Sequence, residues 1–323
     1  MSRAHALLFV CFAACAKQPS VPSPTVSEVT ASRPAASAEV LRGERLLVNG
    51  QLDEAERVFE SAIEENPDDA RAWLDLGLTL EARENFSGAM KAYEKAAAID
   101  PDFAEAFNNL GVLQRESGDL ESATASLERA ATLDPDFTAA RFNLGLAYED
   151  TGRVDDAERE YLATIRQTPG DPVPRINLAM MYLDEDRLED AAAQLRACVP
   201  SVRSDVLLSI AVGEGLRRAG APEEAIPVLR NALQVAGDPP PTELLAELAL
   251  AHYAVEDFDA AERLMGRAVK QNELDPALHY AYGSILARQG KVGKARTHLR
   301  RSEALDPDGP YAERARKRLD SLD

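Results

Sequence analysis

Few residues in this chain have side chains whose type and spacing could do chemistry. Three cysteines (Cys11, Cys15 and Cys198) and four histidines occur in 323 residues. Cys198 stands alone after the first fifteen residues, so the later sequence holds no disulfide framework. No histidine and cysteine share metal-ligand spacing, so no metal and no cofactor is expected. His252, His279 and His298 are read as lying in different repeats without a visible partner, as surface or groove filling. Carboxylate pairs such as Asp155–Asp156 and Glu223–Glu224 fall where helices begin, and there they suit the helix dipole. A phosphate-binding glycine loop, a nucleophile elbow and a His-Glu-x-x-His pair are all missing from the sequence. These residues point away from an enzyme and from a small-molecule substrate.

Bulk charge narrows the partners. Fifty-five acids against 36 bases give a formal net charge of -19, a field that repels a phosphate backbone, so nucleic acid is not an expected partner. The charge is uneven. Residues 44–102 carry 15 acids and 6 bases, whereas 286–319 carry 10 bases and 4 acids. Solvated helix faces account for that pattern. Apolar residues make up 45% of the chain, enough for a sizeable core.

Cys15 has a different setting. Arg3 supplies a positive start, and Ala4–Ala14 follows without acid, Lys or Arg. That length suits a signal-peptide core and is too short to span a bilayer as a helix. Ala13 and Ala14 precede Cys15, a run that resembles the lipobox of bacterial lipoproteins, although Phe12 stands where Leu is usual. The resemblance implies that residues 1–14 are a signal peptide and that Cys15 is lipidated. Residues 15–35 contain Pro19, Pro22, Pro24 and Pro34 among small polar residues, the composition of a flexible tether. Ala16, and not Asp, follows the cysteine. By the sorting rule of the best-known lipoprotein pathway, this implies the periplasmic face of the outer membrane.

The remaining sequence repeats itself. Trp73, Leu76, Gly77, Ala89, Tyr93, Ala96 and Pro101 recur 34 residues later as Phe107, Leu110, Gly111, Ala123, Leu127, Ala130 and Pro135. A further shift finds Leu144, Gly145, Tyr148, Ala157, Tyr161 and Pro169. This pattern is similar to the tetratricopeptide repeat. Eight frames follow: 36–69, 70–103, 104–137, 138–171, 172–205, 206–239, 242–275 and 276–309, with a capping helix over 310–323. Within a frame, positions 4, 7 and 11 form an apolar stripe, and small residues at positions 8, 20 and 27 let neighbours approach. Glycine at position 15 (Gly118, Gly152, Gly220, Gly290) turns the chain. The resemblance implies an all-α fold, a right-handed superhelical solenoid of about eight helix-turn-helix repeats.

It also implies a binding role. In this family the first helix of each repeat lines the inner wall. Position 6 there is Asn109, Asn143 and Asn177. Leu78, Leu146 and Met180 stand at position 9, and Phe142 and Ile176 at position 5. The pattern resembles the asparagine ladder of arrays that hold an extended peptide. Combined with the lipid anchor, it implies a protein-interaction scaffold of the cell envelope, serving a pilus, secretion, motility or cell-wall machine. The alternative is a cytoplasmic co-chaperone or adaptor. Its carboxylate clamp needs bases beside asparagine, whereas position 5 carries Leu74, Asn108, Phe142 and Ile176, with Arg71 and Glu105 at position 2.

Overall fold

The computed structural model describes residues 36–322. Cys11, Cys15 and the expected signal and tether segments lie outside them. The described residues form seventeen α-helices and no strand. Two units divide them, one ending at Pro169 and one running from Gly170.

The first unit contains α1 (Ala38–Val48), α2 (Leu52–Glu65), α3 (Ala70–Ala82), α4 (Phe86–Ile99), α5 (Ala104–Glu116), α6 (Leu120–Leu133), α7 (Thr138–Asp150) and α8 (Val154–Gln167). Each odd-numbered helix packs on the even-numbered helix that follows it, and that helix packs on the next pair. First helices also touch across repeats, α1 on α3 and α5 on α7. They therefore lie on the inner side of the stack.

Sequence explains the pairing. Gly145 on α7 faces Tyr161 on α8, and a Cβ there would stand 2.8 Å from the ring. Only hydrogen at this position lets the tyrosine lie flat between the helices. Tyr161 is fully buried, and its hydroxyl donates to Glu149 Oε2 at 2.5 Å. Tyr93 does the same to Glu81 at 2.7 Å. Burial pushes both phenols up, so each remains a donor. Helix starts are capped by side chains: Asp69 accepts from Arg71 and Ala72, and Asp119 from Ser122.

The second unit contains α9 (Val173–Asp184), α10 (Leu188–Cys198), α11 (Val206–Arg218), α12 (Pro222–Val235), α13 (Thr242–Ala254), α14 (Phe258–Gln271), α15 (Pro276–Arg288), α16 (Val292–Leu305) and α17 (Pro310–Asp320). The same pairing holds, and first helices touch as α9 on α11 and α11 on α13. Helix α17 covers α15 and α16, burying Ala312 and Ala315. Its polar face, with Arg316 and Lys317 exposed, closes the end of the stack. Cys198 is buried, its thiol directed at the carbonyls of Gln194 and Pro172. Burial pushes that thiol up to about 12, so it stays protonated and serves as packing.

The turn inside each pair needs one residue in the left-handed region. Gly50, Gly118, Gly152, Gly220 and Gly290 supply it, with φ between 72° and 87°. Glu84, Asp186 and Glu256 occupy the same place with φ of 62°, 58° and 63°. The fold holds these three side chains in a conformation that glycine adopts at less cost.

Candidate functional site

The first unit's inner wall is built on α1, α3, α5 and α7. Arg71 on α3 donates from Nε to Glu44 on α1 at 2.9 Å. Asp75 stands one turn further along α3, within 4.0 Å of Arg71. Glu105 on α5 is buried. Three carboxylates therefore share this stretch with one guanidinium.

Beyond the charged stretch the wall becomes amide. Asn143 Nδ2 on α7 donates to Asn108 Oδ1 on α5 at 2.9 Å. Asn108 Nδ2 in turn donates to Asn109 Oδ1 at 3.0 Å. Asn108, at position 5, is 2% exposed and joins the other two. The direction of these bonds decides what remains free. The amide hydrogens of Asn109 and the amide oxygen of Asn143 have no partner among the described residues. Both side chains are half-buried. The pair thus presents a donor on α5 and an acceptor on α7, one repeat apart.

The other expected residues divide. Leu78 is half-buried on the same wall. Phe142 packs against Tyr161 with ring centroids 5.8 Å apart and is 3% exposed. Leu146 is 7% exposed. Both are packing groups with little surface for a partner, because the adjoining helices cover them.

In the second unit Asn177 turns back on its own helix, donating to Val173 O at 2.9 Å. Ile176 is 6% exposed and belongs to the packing as well. Met180 is half-buried, with Arg218 Nη1 3.7 Å from its sulfur. The position-6 residue two repeats beyond Asn177 is Glu247 on α13. It accepts from Arg217 Nε on α11 at 2.9 Å in a fully enclosed ion pair. Glu247 Oε1 has no partner, and burial raises the carboxyl above its ordinary range while Arg217 pulls it back.

The histidines correct the sequence reading. His279 and His298 lie in the same repeat, on α15 and α16, with Nδ1 atoms 2.9 Å apart. The spacing of nineteen residues could have revealed it. Arg141–Glu160 and Arg175–Gln194 bridge the two helices of their own repeats at the same spacing. His252 stands 3.0 Å from Asp257. Among the described residues no group of three His, Cys, Asp or Glu could hold a metal ion. No described helix is long and apolar enough to cross a membrane.

Stacked antiparallel helix pairs, with polar side chains set along the first helices, define a helical-repeat scaffold for protein–protein interaction. A tetratricopeptide repeat model matches residues 40–104, 108–172 and 246–310, and a second one matches 172–197. The chain belongs to the tetratricopeptide repeat family. No curated protein matches it. Solved structures resemble it in fold. A chain of the anaphase-promoting complex hetero-tetramer Cut9–Hcn1 aligns over 87% of this chain, at 19% identity and a TM-score of 0.55. Yeast Tom70 aligns over 91%, at 16% identity and 0.52. A tetratricopeptide repeat protein from Parabacteroides merdae aligns over 77% of this chain and 97% of its own length, at 14% and 0.56. The alignment spans 55% of the first of these and 66% of the second.

Proposed function

We propose that this protein is a lipid-anchored scaffold of a bacterial cell envelope that holds an extended peptide segment of a partner along the first helices of its N-terminal unit. The anchor rests on Cys15 and its sequence surroundings. By the same sorting reading, the protein faces the periplasm from the outer membrane and serves the assembly of a pilus, secretion, motility or cell-wall machine. The peptide reading is carried by one observation, the Asn109–Asn108–Asn143 hydrogen-bonded chain.

Adjacent helix pairs stand roughly 10 Å apart, and three extended residues of about 3.3 Å each cover that distance. A peptide carbonyl can accept from the Asn109 amide while an N–H three residues on donates to Asn143 Oδ1. Asn108 fixes the orientation of both amides, so little side-chain freedom is lost on binding. Leu78 adds apolar contact without demanding one side chain. Glu44, Asp75 and Glu105 make basic or neutral segments the better fit. The same carboxylates weigh against a cytoplasmic co-chaperone that clamps a partner's C-terminal carboxylate.

An immobilised array of extended peptides of graded charge tests the groove. Neutral and basic peptides should bind, acidic ones should not. Asn109→Ala with Asn143→Ala removes two bonds of about 0.5–1.5 kcal/mol each, a loss of roughly five- to 150-fold. Adding Asn177→Ala should change little, since its amide is committed to Val173. Unaltered affinity in the folded double variant would move the peptide elsewhere. Cys15→Ser should shift the protein from membranes to the soluble fraction, and an unlipidated mature N-terminus by mass spectrometry would remove the anchor.

A further inference from the structure

The second unit holds a pocket of about 590 Å³ between α14, α15 and α16. Its size suits a small ligand. From α14, Arg263, Arg267 and Lys270 line it at helical spacing, and Arg301 faces them from α16. The floor is Tyr282 and the His279–His298 pair. Gly266 makes room for the floor, because a Cβ there would meet the Tyr282 hydroxyl at 3.1 Å. The rings of Tyr282 and His298 lie 4.5 Å apart.

The four cations have no carboxylate partner among the described residues. Two acids share the pocket. Glu262 is held by Lys291 Nζ at 2.5 Å, and Glu273 stands at the end of α14. Asp275 is taken up in capping α15. Four bases against Glu262 and Glu273 leave the pocket lining with about two positive charges in excess.

The histidine pair has one consistent arrangement of protons. A carbonyl can only accept, so His279 Nε2–H donates to Glu273 O at 3.1 Å. His279 Nδ1 must then accept, and His298 Nδ1–H donates to it at 2.9 Å. His298 Nε2 keeps its lone pair. A proton can add there without breaking either bond. Burial lowers both rings, with the neighbouring His279 adding to the effect on His298, which falls to about 4. Both are neutral at pH 7.

We propose that this pocket binds a small dianionic oxyanion of the phosphate type and that His298 takes up one proton as it binds. The anion supplies the charge that the cations lack. Charge-assisted hydrogen bonds from Arg263, Arg267 and Arg301 hold it, with Lys270 as a point charge. The bound anion also removes the penalty on a charged His298, so affinity rises as pH falls, and by reciprocity the anion raises the proton affinity of His298. This site is independent of the asparagine wall, which lies in the other unit.

Inorganic sulfate is the first probe, because it remains a dianion throughout this pH range, and inorganic phosphate is the second. Titration of the whole chain, followed by the imidazole proton resonances, should show sulfate binding that tightens severalfold from pH 7 to pH 5. Arg267→Gln with Arg301→Gln should weaken it at least about tenfold at both pH values. The single variant Lys270→Gln should weaken it less, since one point charge is removed and the guanidinium contacts remain, and Arg230→Gln, outside the pocket, not at all. His298→Gln should keep binding at pH 7 and lose the pH dependence. Circular dichroism checks that each variant is folded. No sulfate binding at tens of millimolar, or binding that survives the double arginine change in a folded protein, overturns the site. PH-independent affinity in the wild type, or pH dependence that persists in His298→Gln, overturns the proton uptake.

Discussion

The two units share one backbone plan and fill its polar positions differently. In the first unit the amide chain joins α5 to α7, and tyrosine–glutamate bonds link the ends of helix pairs. In the second, an enclosed Arg217–Glu247 pair joins α11 to α13, and two histidines join α15 to α16. Amides can offer an unspent donor and acceptor to a peptide at little desolvation cost. An enclosed ion pair is already spent on its own partner. The histidine site combines a titratable pair with cations that have no carboxylate partner among the described residues. The first unit's unspent amides therefore suit the peptide backbone proposed above, and the second unit's histidine pair suits the proposed pH-linked anion.

Removing one ion partner gives the largest expected effect. Arg217→Ala leaves Glu247 enclosed without a counter-charge, which should cost about 3–5 kcal/mol. Arg217→Met with Glu247→Leu should recover most of that, since apolar groups of similar volume often replace a buried pair without loss. Hydrogen exchange at the amides of α11 and α13 reads this locally, where a single unfolding midpoint of a repeat array would not. A loss under about 1 kcal/mol in the single variant would show that water reaches the pair.

The close helix contact at Gly145 in the first unit should be sensitive to overfilling. Gly145→Ala forces the Tyr161 ring off its bed and strains its bond to Glu149, at about 1–3 kcal/mol. Ala179 and Ala249 already carry a Cβ at the matching position of the second unit, opposite Leu195 and Met265. Gly213 and Gly283 face leucine just as tightly, a Cβ there standing 2.4 and 2.7 Å from Leu229 and Leu299, so how closely each helix pair approaches decides where glycine is needed. Urea unfolding followed by tyrosine fluorescence should show the loss, and Gly145→Ala with Tyr161→Leu should soften it.

Much of this was legible in the sequence. Small residues at fixed places, apolar stripes and turn glycines repeat because every helix pair meets the same neighbours. The asparagines were legible as a row, but not their bonding. Asn108 sits beside Asn109 in the chain, and only the approach of α7 turns the two into a relay. Phe142, Leu146 and Ile176 look like a groove lining in the sequence. Neighbouring helices cover them, a consequence of stacking that one repeat cannot reveal. The histidine contact becomes legible only when His279 and His298 are set on the facing helices of one repeat, nineteen residues apart.

A pH profile sharpens the contrast between units. Both histidines titrate lower in the folded chain than the usual imidazole, His298 at about 4. Between that value and about 6.5 the unfolded chain binds more protons, so stability should fall as pH drops through this window. For His298, half-buried and partly screened by water, the loss should be about 1–2 kcal/mol. His298→Gln should flatten that part of the profile in the second unit and leave hydrogen exchange in the first unit unchanged. An equal slope in the variant would assign the loss to other groups.

The smallest expected effect separates the three strained turns. A side chain in the left-handed region costs about 1–2 kcal/mol, whereas glycine adds freedom to the unfolded chain worth about 0.4–1 kcal/mol. Glu84→Gly and Glu256→Gly should therefore stabilise by a net of about 0.5–1 kcal/mol. Asp186→Gly should gain less, because aspartate adopts the left-handed region more readily than glutamate. None of the three side chains forms a hydrogen bond or ion pair among the described residues, so nothing else is removed by the change. Urea midpoints of the single variants should rank with the two glutamates together above the aspartate. An equal gain at all three would mean that aspartate is no better suited to this turn than glutamate. A loss at Glu84 or Glu256 would mean that strain in the turn is smaller than the entropy that glycine returns to the unfolded chain.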